Sequence, residues 1–186
     1  MAKPKFSIAH KDEEMLALVS KTDQKTLALW AIDCAERVMP FFEEKYPQDN
    51  RPRQALNTLQ TWLDTGVFKM AVIRKASLDA HAAARDVGED SPARSAARAA
   101  GQAVATAHVA RHAYGPAIYA QQAIHRASTP AEADAAAAQE RDWQYQQLLA
   151  RQGMDENSEG ASSEGASRDL KPETQNFELE TRNLFS

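Results

Sequence analysis

Apolar side chains return every third or fourth position along most of the chain, the spacing of one face of an α-helix. Leu27, Trp30, Ala31, Cys34 and Val38 form the first clear stripe and predict a helix over 23–39. Pro40 interrupts it, because proline lacks an amide proton and crowds the preceding turn. Phe41 to Tyr46 adds a further turn or two. After the loop YPQDNRP, Asn50 or Arg51 takes the cap position and Pro52 opens a helix marked by Leu56, Leu59, Trp62 and Leu63. It stops at Thr65-Gly66, glycine being common just past a helix end. Val67 to Ile73 is apolar nearly all round, which predicts a central helix. That helix is expected to run to Asp86 or Val87 and to end at Gly88.

Ser91-Pro92 restarts the pattern, and an Ala-rich helix is expected to reach Tyr114, where Gly115-Pro116 breaks it. Another helix carries Ile118 to Arg126. Thr129-Pro130-Ala131-Glu132 has the composition of a capping box and opens a last helix to about Arg151. A short helix over 12–19 starts the chain. No stretch alternates with period two between turn signals, so strands are not expected. The fold class is all-α: an antiparallel bundle, or a short stacked helix-hairpin array, of about six to seven helices joined by short loops.

Composition sharpens this picture. Of 186 residues, 36 are alanine, which lets helix axes approach closely but contributes little apolar area per residue. The bulky residues of 27–73 are therefore expected to supply much of the core. A single cysteine, Cys34, excludes a disulfide scaffold and a cysteine-rich zinc module. It lies on an apolar stripe and reads as a core thiol. Trp30 and Trp62 read as core anchors. Trp143 and Tyr145, two apart on a Gln-rich helix, cannot both face inward easily, which makes one a candidate contact. No apolar run approaches the roughly 18 residues of a membrane span, and 1–14 has no secretory core, so a cytoplasmic protein is expected.

Charge is distributed unevenly. Residues 154–186 hold 8 acidic and 3 basic side chains, a net of -5, and contain SEGAS twice in succession. Such a segment cannot bury enough apolar surface to fold, so it reads as a disordered tail. Three regions follow: an N-terminal segment over 1–22, an Ala-rich helical domain over 23–153, and the tail. Arg51 to Ser128 holds 10 basic and 5 acidic residues, a net of +5. That falls short of a nucleic-acid-binding face and suits an acidic protein partner equally well.

Residues 76–88, ASLDAHAAARDVG, and 103–115, AVATAHVARHAYG, align at an offset of 27, pairing His81 with His108 and Gly88 with Gly115. A duplicated helix-turn-helix would account for this. His108 and His112 have the spacing of two metal ligands on one helix, but Val109 stands where the zincin motif needs Glu, and no further ligand is fixed by the sequence. No nucleophile or carboxylate pair stands in a catalytic motif, and neither phosphate-binding glycine loop is present, so no cofactor is expected. A polar groove lined by His81, Arg85, His108, Arg111 and His112 is the favoured site.

RPRQAL at 51–56 followed by Trp62, then AHAAARDVG at 80–88, then AAGQAVATAHVARHAYGPAIYA at 99–120, resembles the immunity-5-like putative immunity proteins of bacterial polymorphic toxin systems. The resemblance covers roughly 26–126 and is most specific over Gly101 to Ala120. It implies an all-helical, non-enzymatic antidote that binds a cognate toxin and blocks it by occlusion. Polar residues in the matching segments are Arg51, Arg53, His81, Arg85, His108, His112 and Tyr119. With Arg111, these are the candidate partner contacts, the arginines because they carry interface energy better than lysine. The residues alone leave two other readings open: a metal protein or enzyme using His108 and His112, and a DNA-associated accessory protein using the basic middle.

Overall fold

The computed structural model describes residues 5–6 and 12–159. They form α1 (Glu13–Lys21), α2 (Gln24–Glu36), α3 (Met39–Glu43), α4 (Arg51–Thr65), α5 (Met70–Asp86), α6 (Pro92–Ala105), a tight 3-10 turn at Ala110–Ala113, α7 (Tyr114–Ala127) and α8 (Ala133–Glu159). No strand occurs among the described residues. The all-α expectation holds, with eight α-helices among the described residues against the six or seven expected. Much of the difference is Pro40, which sits in the first turn of α3 and separates it from α2.

Local signals start the helices. Asp12 accepts from the Met15 amide at 3.0 Å, Asp23 from Lys25 and Thr26, and Ser91 from Arg94, each satisfying amides that have no partner inside the helix. Gly66 closes α4 with φ 68°, a left-handed conformation that suits glycine. From α4 onward successive helices pack on one another and run antiparallel. Arg51 at the start of α4 meets Asp86 at the end of α5, and Arg126 at the end of α7 meets Ser95 near the start of α6.

α6 is the axis of the bundle. It packs on α2, α3, α4, α5 and α7. Ala93, Ala96, Ala97, Ala100, Ala103 and Val104 are among its buried residues, which occupy nearly every face. The bulky core residues Trp30, Phe42, Leu56 and Leu59 stand around it on α2, α3 and α4. α8 closes the other side. Its buried Gln144 reaches Ala117 of α7, and the Trp30 indole donates to the Gln144 carbonyl at 2.8 Å.

Several expectations are corrected. The Ala-rich helix ends at Ala105, not Tyr114. The carbonyls of Thr106 and Ala107 are taken by the side-chain amide of Gln24, at 2.8 and 3.0 Å, from α2. Gly115-Pro116 lies inside the first turn of α7, where a missing amide proton costs nothing. The two aligned segments therefore differ in shape: 76–86 is continuous helix, whereas 103–115 bends twice, so no duplicated unit exists. Thr129 bonds the Glu132 carboxylate at 2.7 Å, and α8 begins only at Ala133. Trp143 and Tyr145 are both half-buried, lying under Arg37 and Arg141. Backbone helix continues to Glu159, past the expected end at Arg151. The disordered-tail expectation for 160–186 lies outside the described residues.

Candidate functional site

Along one edge α6 carries Arg94, Arg98 and Gln102 at four-residue spacing, the two arginines half-buried and Gln102 buried. α5 flanks that edge with His81 and Arg85, and α7 with Tyr119, Gln122 and Arg126. The turn before α7 adds His112. A side chain at Gly101 would begin 3.0 Å from His81 Cε1 and Nε2, so only glycine lets this imidazole rest against the α6 backbone. A side chain at Gly115 would stand 2.9 Å from Gln102 Cβ and Cγ. The two glycines bring α5 and α7 against the same edge of α6, and Gln102 Oε1 then meets His112 Nδ1 at 2.9 Å.

Burial and cations set the electrostatics of this groove. Burial, reinforced by Arg98, Arg85 and His112, pushes the His81 imidazole down to about 4. Burial raises the Tyr119 phenol, against the pull of Arg98, Arg126 and Arg94. The Arg98 guanidinium lies 5.7 Å from the Tyr119 ring centroid. Arg126 donates to Ser95 Oγ at 2.7 Å and pairs with Asp90 at 3.1 Å. Burial, with Arg98 and Arg94 nearby, holds its guanidinium below the ordinary range despite Asp90. Of these residues, sequence reasoning grouped His81, Arg85 and His112, and named Tyr119 only through the family resemblance. It missed Arg94, Arg98 and Arg126, whose convergence depends on how α6 and α7 pack; the four-residue spacing of Arg94 and Arg98 was the available signal.

The other candidates lie elsewhere. Arg51 binds Asp49 through two nitrogens and reaches Asp86 at 2.7 Å, fastening α4 to α5. Arg53 pairs with Glu43 and Glu36, fastening α4 to α3 and α2. Arg111 is exposed on the 3-10 turn. His108 is exposed in the bend after α6, its ring stacked near Phe68 at 6.5 Å between centroids. It does not share an α-helical face with His112, because α6 has already ended. Among the described residues no three His, Cys, Asp or Glu side chains gather as a metal site. The Cys34 thiol is fully buried, and burial pushes its pKa well above the usual thiol value.

The largest departure from the sequence pattern is at the α4–α5 junction. Every residue from Asp64 to Val72 is exposed, and only Ile73 turns inward. Val67, Phe68, Met70 and Val72 are 42–57 % exposed. The segment expected to be central instead overhangs the bundle, with Lys69, Arg74 and Lys75 interleaved. Leu78 continues the exposed ridge along α5 at four-residue steps from Met70 through Arg74. Beside it, Arg51, Gln54 and Thr58 of α4 and Val72, Lys75 and Asp79 of α5 line an open cleft of about 410 Å³. All-round apolarity gave no warning, because that pattern normally marks burial.

Residues 17–151 match the family model described as Imm-5 like putative immunity protein. No curated protein and no solved structure gives a significant match.

Proposed function

Because the chain belongs to the Imm-5 like putative immunity protein family, we propose that it protects a bacterial cell by binding a protein toxin in the cytoplasm and covering the toxin's working surface, without catalysis. The observation that carries this reading is the overhanging apolar segment. Soluble monomers rarely leave several large apolar side chains adjacent and exposed unless a partner covers them. Val67, Phe68, Met70 and Val72 supply the anchor, and Lys69, Arg74 and Lys75 supply a basic surround that fits an acidic toxin face. His108, stacked near Phe68, extends the contact to the turn after α6. Arg51 and Arg53 serve this reading indirectly, by holding α4 in place beneath the ridge.

The test is co-expression with the product of a toxin gene found beside this one. The wild-type chain is expected to restore growth. Phe68→Asp with Val72→Asp is expected to weaken toxin binding by 100-fold or more, about 3 kcal/mol, while circular dichroism stays unchanged. Full protection by this folded double variant would move the contact off the α5 ridge. No binding by the wild-type chain would remove the toxin reading itself.

A further inference from the structure

We propose that the cationic cluster where α7 packs on α6 is a binding site for a phosphate-class oxyanion, held by Arg94, Arg98 and Arg126. The inference stands apart from the toxin reading: it uses a different face and needs no protein partner.

The charge balance points there first. Arg94 and Arg98 are stacked four residues apart on α6, a like-charge spacing that opposes helix formation. Arg126 of α7 adds a third guanidinium, and that of Arg98 lies 5.7 Å from the Tyr119 ring centroid. Asp90 is shared by two of them, at 3.3 Å from Arg94 and 3.1 Å from Arg126, and its side chain is 74 % exposed. Arg98 has no carboxylate partner among the described residues. An anion that pairs with such a cluster relieves the like-charge repulsion and gains charge-assisted hydrogen bonds.

The second observation is an orphaned donor. Arg94 Nε is buried and makes no hydrogen bond, although Asp90 is within reach of the same guanidinium. One carboxylate has thus failed to satisfy the fork. A tetrahedral dianion offers both the missing charge and several acceptor oxygens, the combination that planar guanidinium forks bind best. A modest swing of Arg94 away from Asp90 would give Nε an acceptor. Arg126 stays in place through Ser95, which is itself bonded to Gln122 at 3.0 Å, so part of the site is held ready before the ligand arrives.

Thermal unfolding of the full chain in inorganic phosphate, against chloride at equal ionic strength, tests the proposal. At ten times the dissociation constant, phosphate is expected to raise the midpoint by about 3 to 6 °C. Arg98→Gln is expected to abolish the rise, and Arg74→Gln, on the α5 ridge, to keep it. Arg98→Lys guards against a folding defect: it retains the charge but not the fork, and phosphate titration by calorimetry is expected to be at least ten-fold weaker. Adenosine monophosphate, titrated separately, separates the sources. Equal affinity identifies a free phosphate, and tighter binding identifies a nucleotide. No rise in the wild-type protein, or the same rise in Arg98→Gln, would overturn the assignment.

Discussion

The ring edge of His81 occupies the space where a side chain at Gly101 would begin: Cε1 and Nε2 lie 3.0 Å from that point and Cδ2 3.1 Å. Glycine at this helix position is unfavourable by itself, by about 1 kcal/mol relative to alanine. The contact reverses that preference. Gly101→Ala is therefore expected to destabilise the protein by about 1–2 kcal/mol through overpacking. In a His81→Ala background the same substitution is expected to stabilise it by up to about 1 kcal/mol. Urea unfolding of the four proteins in the cycle gives the coupling, and equal effects in both backgrounds would show that the two sites are independent.

The same histidine makes stability depend on pH. His81 titrates at about 4 in the fold, against an ordinary 6.5, so between these values the unfolded chain binds more protons than the folded one. Its contribution is present above about 6.5 and is lost as the pH falls toward 4. From pH 7 to pH 5 the loss is expected to be about 2 kcal/mol. The lowered carboxyls of Asp12, Asp23 and Asp49 act in a separate window, losing their contribution below about pH 4. His81→Gln is expected to flatten the profile between pH 7 and 5, measured by urea midpoints at each pH.

Two apolar substitutions should behave in opposite ways although hydropathy treats them alike. Leu59 is fully buried on α4, so Leu59→Ala is expected to cost about 2–5 kcal/mol. Val72 is half exposed, so Val72→Ser is expected to change stability by less than about 0.5 kcal/mol. Calorimetric unfolding separates them. A large loss for Val72→Ser would mean that the α5 overhang packs against something in the free protein.

Cys34 offers a direct probe of opening. Its thiol is buried, and burial raises its pKa well above the usual value, so the reactive thiolate is scarce and shielded. Labelling by a thiol reagent at pH 8 is expected to be at least a hundred-fold slower in the folded chain than in urea. Its rate should rise in step with any variant that destabilises the bundle. Fast labelling of the folded protein would place a local opening beside α2.

How much of this was legible in the sequence can be judged from particular residues. Period and caps located α1, α2, α4 and the start of α6, because Asp12, Asp23, Pro52 and Ser91 act within a few residues of where they stand. The end of α6 was hidden, because the amide that takes its last carbonyls belongs to Gln24, 82 residues away. Pro116 misled for the opposite reason: the same residue breaks a helix interior and opens a first turn, and sequence alone does not say which. The site was half visible. The structure sets His81, Arg85 and His112 near one another, but the sequence grouped them, together with His108 and Arg111, through a repeat that the backbone does not have. Their meeting depends on Gly101 and Gly115, whose value lies in what they leave empty.

The burial of α6 on nearly every face by small side chains has a consequence for how such a protein can diversify. Its buried alanines have no slack: each already sits at the smallest size that still favours a helix, so change there is costly in either direction. The overhanging end of α5 carries no such burden. Folding information and recognition information are thus written in different stretches of the chain, and a new partner can be acquired by rewriting a few exposed positions while the interior stays as it is.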